Sequence, residues 1–175
     1  MTPASQQLLT VRLLGRDDAA VYQVLRLEGL QNAPTAFGSS YEDEATLTPE
    51  QVESRLVSGL PDVVTFGAFS DGRLVGIASL VGNNRQKTAH RAMVSGMYVT
   101  ESARGQGVGM ALLQALIQHA EERQTLEELV LAVTLGNTSA RRVYDKAGFT
   151  LYATEPRYLK IDGKYYDLEW MFLRL

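Results

Sequence analysis

Cysteine is absent from these 175 residues, which excludes disulfides, thiolate metal sites and a cysteine nucleophile. Histidine is scarce as well. His90 and His119 stand alone, without neighbours at metal-ligand spacing, so no metal is expected and no nucleophile–histidine pair offers itself. No apolar run approaches the roughly 20 residues needed to span a bilayer. Residues 1–7 lack the basic start and apolar core of a secretory signal, so a cytoplasmic protein is expected. A basic surplus is missing too: 17 Lys and Arg face 20 Asp and Glu, for a net charge of −3, and nothing argues for nucleic acid as a partner. The acidic balance is mildly compatible with a cationic amine. What remains is an ordinary globular composition, 45% apolar and 21% charged, of a length that suits one domain over 1–175.

The chain alternates between the two periods of regular structure. Residues 8–14 read as a strand, and Asp17 or Asp18 supplies a cap for a helix carrying Val21, Val24, Leu25 and Leu27, with Gly29 near its end. Residues 31–41 hold Pro34, Gly38 and two serines and read as a loop or broken helix. Thr48-Pro49-Glu50-Gln51 combines a Thr cap, Pro at the first helical position and Gln three residues on, and predicts a second helix. Its apolar face is Val52, Leu56, Val57 and Leu60, closed by Pro61.

From residue 63 the period becomes two. Strands over 63–69 and 73–81 flank an Asp71-Gly72 turn, a favoured hairpin connection. A strand over 93–99, a helix with Val108, Leu112, Ala115, Leu116 and Ala120 on one face, a strand over 129–135 and a helix over 138–147 follow. The tail reads as a hairpin, 157–161 and 164–173 around Asp162-Gly163, with Leu168, Trp170 and Phe172 on one face. This order implies an α/β (α+β) fold: a mixed sheet flanked by helices.

The segment between the strand at 93–99 and the helix from Val108 holds Arg104, Gly105, Gln106, Gly107, Val108 and Gly109. Unpaired N–H groups and the positive end of a helix dipole meet there, and glycine lets a ligand approach the backbone, so the run reads as a pyrophosphate cradle. It is not a dinucleotide fingerprint, because Met110 stands where that motif would continue, and Met110-Ala111 replaces the Lys-Ser/Thr of a Walker loop. A nucleotide-binding enzyme using the same turn would show those fuller motifs. The pattern that fits is R/Q-x-x-G-x-G/A, filled by Arg104, Gly107 and Gly109. A second block, Asn137 to Phe149, carries N-x-x-A-x-x-x-Y-x-x-x-G-F with Asn137, Ala140, Tyr144, Gly148 and Phe149.

On these two blocks the chain resembles the GNAT superfamily of acyl-CoA-dependent N-acyltransferases. The resemblance implies a mostly antiparallel sheet, acetyl-CoA as cosubstrate without a metal, and an amine acceptor in a small molecule or peptide. It implies direct transfer in a ternary complex. Main-chain groups of Met97, Tyr98 and Val99 would hold the donor carbonyl and pantetheine arm, and residues 104–109 the pyrophosphate. Asn137 would contact pantetheine, or equally cap the last helix. Tyr144 would donate to the leaving thiolate as general acid, or pack with Phe149. Homodimers are common in that family, and the aromatic C-terminal strand is a candidate pairing surface.

One expected part is missing. Many members place a glutamate on the central strand, but residues 93–99 contain no carboxylate. Ser95 is a poor base, Glu101 lies on the phosphate side, and Glu42-Asp43-Glu44 reads as a solvated loop, so no base is assigned. The gap leaves an acyl-CoA-sensing module as the alternative to an enzyme. The acceptor pocket would come from residues 31–41 and the C-terminal hairpin, with Phe37, Tyr41, Tyr158, Tyr165, Tyr166 and Asp167 as lining. His119 reads as structural.

Overall fold

The computed structural model describes residues 8–57 and 63–175. Its elements in chain order are β1 (Leu9–Leu13), α1 (Ala19–Asn32), α2 (Tyr41–Ala45), α3 (Pro49–Val57), β2 (Val63–Ser70), β3 (Arg73–Val81), β4 (Arg91–Val99), α4 (Val108–Glu121), β5 (Glu128–Thr134), α5 (Thr138–Lys146), β6 (Thr150–Ile161) and β7 (Lys164–Arg174). The strands form a seven-stranded sheet in the order β1-β2-β3-β4-β5-β7-β6. All pairs are antiparallel except β4 with β5. The expected α/β, mostly antiparallel sheet flanked by helices is therefore the observed one.

Alternation along β3 sets the two layers. Ala78 and Leu80 face Leu112, Leu113 and Leu116 of α4, joined by Leu129, Leu131 and Met171. Ile77 points the other way, into a second cluster with Leu25 and Leu30 of α1 and Val52 and Leu56 of α3. Successive side chains of a strand take opposite faces, so one strand feeds both cores. On β7 the fully buried residue is Met171, on the face opposite Leu168, Trp170 and Phe172.

Local signals behave unevenly. Thr48 and Gln51 form the expected reciprocal cap, with the Gln51 N–H donating to Thr48 Oγ1 (3.3 Å) and the Thr48 N–H to Gln51 Oε1 (2.8 Å). Leu60 and Pro61, expected to close that helix, lie outside the described residues. Asp18 does not cap α1. Its carboxylate is drawn back to Arg12 (2.8 Å) and the Gly15 N–H (2.9 Å), and residues 16–18 form a 3-10 turn. Nor does Gly29 end α1, which runs on to Asn32. A Cβ there would come 2.9 Å from the Tyr98 ring and 3.1 Å from Phe37, so its smallness serves helix-to-sheet contact. The tail strand begins at Thr150, seven residues earlier than expected. Residues 150–158 are exposed throughout, so no period-two burial pattern marks them.

Candidate active site

The feature that makes a site is a failure of pairing. β4 and β5 lie parallel only from Arg91–Glu128 to Met93–Val130, and beyond that they diverge. Residues 94–99 then have β3 on one edge and no strand on the other. A bulge opposite Ala78 raises the distortion, with Gly96 in the left-handed region at φ 62°. Unpaired main-chain polar groups thus line a wedge, and buried ones need a partner.

That wedge opens into a cavity of 280 Å³. Its walls include residues 93–97 of β4, Ala132 to Thr134 of β5, Asn137 and Tyr144 of α5, and Leu168 and Trp170 of β7. The connection between α1 and α2 closes one side. Thr134 Oγ1 donates to the Thr35 carbonyl, tying that connection to the end of β5.

The glycine run sits at the wide end of the wedge. Gly105 and Gly107 adopt φ of 74° and 81°, where side chains with a Cβ are strained, and Gly107 is the N-cap of α4. A Cβ at either would meet nothing within 4 Å. Gly109 differs: its Cβ would lie 3.2 Å from Met97 Cε, so it serves close packing of α4 on β4. The first intrahelical bond is Ala111 N–H to the Gly107 carbonyl, at 3.0 Å. The N–H groups of Val108, Gly109 and Met110 precede it and have no acceptor within the helix. Arg104 Nε donates to the Val99 carbonyl at 3.1 Å, and its guanidinium lies 5.7 Å from the Tyr98 ring centre. Gln106 Nε2 donates to the Ser102 carbonyl at 3.0 Å. Arg104 braces the run against the end of β4, and Gln106 braces it against the turn at 101–103.

The three consecutive β4 residues face different surroundings. Tyr98 is buried on the α1 side, where its O–H donates to Glu28 at 3.0 Å, beside a 2.6 Å bond from Thr100 Oγ1 to the same carboxylate oxygen. Met97 lies on the α4 and α5 side. Tyr144 O–H donates across the wedge to Met97 Sδ at 3.7 Å. The Tyr144 phenol is buried, its ring centre 6.2 Å from Phe149, and burial pushes its pKa up to about 12. It therefore stays protonated across the ordinary pH range, held only by a weak sulfur acceptor. Asn137 does cap α5, its Oδ1 accepting from the Ala140 N–H at 3.2 Å, and it lines the cavity.

The acidic run departs from expectation. Glu42 and Asp43 are exposed, but Glu44 is 1% exposed because α2 turns it inward against α1. Arg26 grips it twice, through Nε at 3.0 Å and Nη2 at 2.7 Å, and Arg55 adds a contact at 3.0 Å. Burial alone would raise the Glu44 carboxyl, but the hydrogen bonds and charge of Arg26, with Arg55, hold it below the usual carboxylate value. It is an ion-pair anchor and does not line the cavity. Among the described residues, no Asp or Glu lines it at all.

Of the acceptor candidates, Phe37 and Tyr158 line the cavity and Tyr41, Tyr165, Tyr166 and Asp167 do not. Tyr165 stacks outside under Arg157 at 3.9 Å, while Asp167 accepts from the Arg157 N–H at 2.8 Å. Sequence reasoning missed Arg26 and Trp170. The signal for Arg26 was present: it continues the stripe Tyr22, Leu25, Gly29, Leu30 at helical spacing, a charge on an apolar face. His119 packs edge-on to Phe66 at 5.6 Å, away from the cavity.

Residues 28–149 match the model of the acetyltransferase (GNAT) family. The chain belongs to that family. Among curated relatives, the L-methionine sulfoximine/L-methionine sulfone acetyltransferase of Pseudomonas aeruginosa is 33% identical over 124 residues, 70% of each chain. The L-amino acid N-acetyltransferase AaaT of Escherichia coli is 28% identical over 63% of this chain and 68% of its own. A GNAT acetyltransferase structure from Streptococcus pneumoniae superimposes with a TM-score of 0.82 at 25% identity, covering 96% of this chain and all of the other. The Salmonella typhimurium protein yncA, solved with acetyl-CoA, shares the fold at a TM-score of 0.78 and 21% identity, over 96% and 94% of the two chains. This GNAT chain is thus an N-acetyltransferase by family, and no helix among its described residues is long and apolar enough to cross a membrane.

Proposed function

We propose that this GNAT enzyme transfers an acetyl group from acetyl-CoA directly to a primary amine of a small molecule or peptide, both substrates being bound together. The observation that carries the reading is the wedge between β4 and β5, with a backbone edge that no strand pairs on one side and the Tyr144 O–H reaching across from the other. Acetyl-CoA would supply a thioester carbonyl that the amine attacks, with the thiolate leaving. The residues suit that ligand: open backbone at Gly105 and Gly107, a helix N-terminus at Val108, and an unpaired strand edge.

In this reading the main chain of Met97, Tyr98 and Val99 orients the donor arm, and residues 104–109 hold the pyrophosphate, Arg104 keeping the run folded back on Val99. Asn137 keeps its capping bond through Oδ1 and turns its amide nitrogen to the pantetheine arm. Tyr144 presents a proton to the leaving sulfur, as it already does to the divalent sulfur of Met97. Free thiols titrate near ~8.5, so full transfer from a phenol near 12 is uphill until desolvation of the departing thiolate raises its pKa by a similar amount. Hydrogen bonding to the departing charge needs no such match.

The absence of a carboxylate among the described residues of the cavity wall favours one competing reading, an acyl-CoA sensor without efficient turnover. Thiol release from acetyl-CoA, followed against amines, amino acids, polyamines and N-terminal peptides, separates them. With no cysteine in the chain the protein adds no thiol background. Acceptor-dependent release is expected. Tight acetyl-CoA binding with silence across the panel would favour the sensor.

A further inference from the structure

Arg26 has no task in the reading above, yet it is 9% exposed and lines the cavity. Its Nε and Nη2 are taken by Glu44, which fixes the plane of the guanidinium. The remaining edge, Nη1, lies 3.4 Å from where a Cβ on Gly96 would stand. Glycine at that position therefore leaves the approach to Nη1 open from the cavity. The ring of Phe37 backs the guanidinium at 4.5 Å, closing its other side. Glu44 is shared with Arg55, whose side chain is 42% exposed, so Arg26 is the buried cation of the cluster, and no carboxylate among the described residues of the cavity wall faces its free edge.

We propose that Arg26 reads an acid group on the acceptor, which is therefore an amine bearing a nearby carboxylate, such as a free amino acid, and not a polyamine. The inference rests on the acetyl-transfer reading. A carboxylate at Nη1 would extend the alternation Arg55, Glu44, Arg26 by one more charge, with the short, directional bonds that guanidinium makes to carboxylate. Position narrows the acceptor further. Gly96 immediately precedes Met97 in the bulge of β4, so an acid held at Nη1 lies next to the main chain assigned to the donor arm. An acceptor whose amine and acid sit close together suits that arrangement. A second ammonium in place of the acid would meet Arg26 as a like charge. Glu44 acts here as a positioning residue, because it decides which edge of Arg26 faces the cavity.

The test compares matched acceptors: leucine, leucinamide and 3-methylbutylamine, with parallel sets for polar side chains and with spermidine, all by thiol release. Wild type should use each acid with a kcat/KM roughly 10- to 100-fold above its amide. Arg26→Gln should collapse that ratio towards one while KM for acetyl-CoA stays, and Arg26→Lys should restore part of it. Equal use of acid and amide by wild type, or faster use of spermidine, would overturn the proposal without any variant. So would an Arg26→Gln enzyme, folded by its melting curve, that loses acid and amide activity alike. If no amine is acetylated, the transfer reading fails, and calorimetric titration of N-acetylleucine against N-acetylleucinamide still decides Arg26: preference for the acid supports it, and equal binding overturns it.

Discussion

The two walls of the wedge are built by opposite means. The wall from Met97 to Gly109 is made by neighbours in sequence: a bulged strand, a turn with two left-handed glycines and the first turn of α4. Its braces span four or five residues, Arg104 to Val99 and Gln106 to Ser102. The opposite wall is assembled from distant segments. Arg26 reaches Glu44 across 18 residues and Thr134 reaches Thr35 across 99. In the proposed reading the first wall presents backbone to acetyl-CoA, and the second presents the side chain of Arg26 to the acceptor. Main-chain recognition tolerates sequence drift, whereas side-chain recognition does not.

Substitutions should separate the walls. Glu44→Ala leaves the Arg26 charge buried without its partner, so it should cost about 3–5 kcal/mol of unfolding free energy, read from denaturant midpoints. Stability little changed in that variant would mean that the acceptor wall relaxes freely and the contrast is false. Tyr144→Phe should lower kcat about 100-fold while the Kd for acetyl-CoA barely moves. The same variant has a pH signature. A phenol raised from about 10 to about 12 binds its proton more tightly when folded, so its contribution is complete below pH ~10 and is lost as pH rises through 12. Wild type should therefore lose stability more steeply than Tyr144→Phe in that window, as urea titrations would report. Asn137→Ala removes a helix cap and should cost about 1 kcal/mol. A larger rise in KM for acetyl-CoA than that loss explains would place Asn137 on the ligand as well as on the helix.

Legibility followed the same division. The glycine run and the Asn137–Phe149 block were readable because their geometry is local, set by turn chemistry and helix termini. The Asp71-Gly72 hairpin between β2 and β3 and the Thr48–Gln51 cap were readable for the same reason. Asp18 misled because a strand arginine six residues back outcompeted the helix end for its carboxylate. Glu44 misled more seriously. Three acids in a row read as solvent-facing, and only the inward turn of α2 onto α1 makes one of them buried. Gly29 looked like a helix end, and the ring of Tyr98, some 70 residues on, explains it instead. Tyr165, Tyr166 and Asp167 were assigned to the pocket as parts of the C-terminal hairpin, whereas Leu168 and Trp170 line it: alternation along β7 turns Tyr165 and Asp167 to the other face, and Tyr166, on the same face, lies too near the hairpin turn.

The central claim concerns backbone groups, which substitution cannot remove, so amide hydrogen exchange with and without acetyl-CoA tests it most directly. Acetyl-CoA should slow exchange at Met97, Val99 and the amides from Gly105 to Gly109, and leave residues 26–44 nearly unchanged until an acceptor is added. Exchange unchanged along 97–109, or slowed equally on both walls, would contradict the division of the site and the ligand assigned to it.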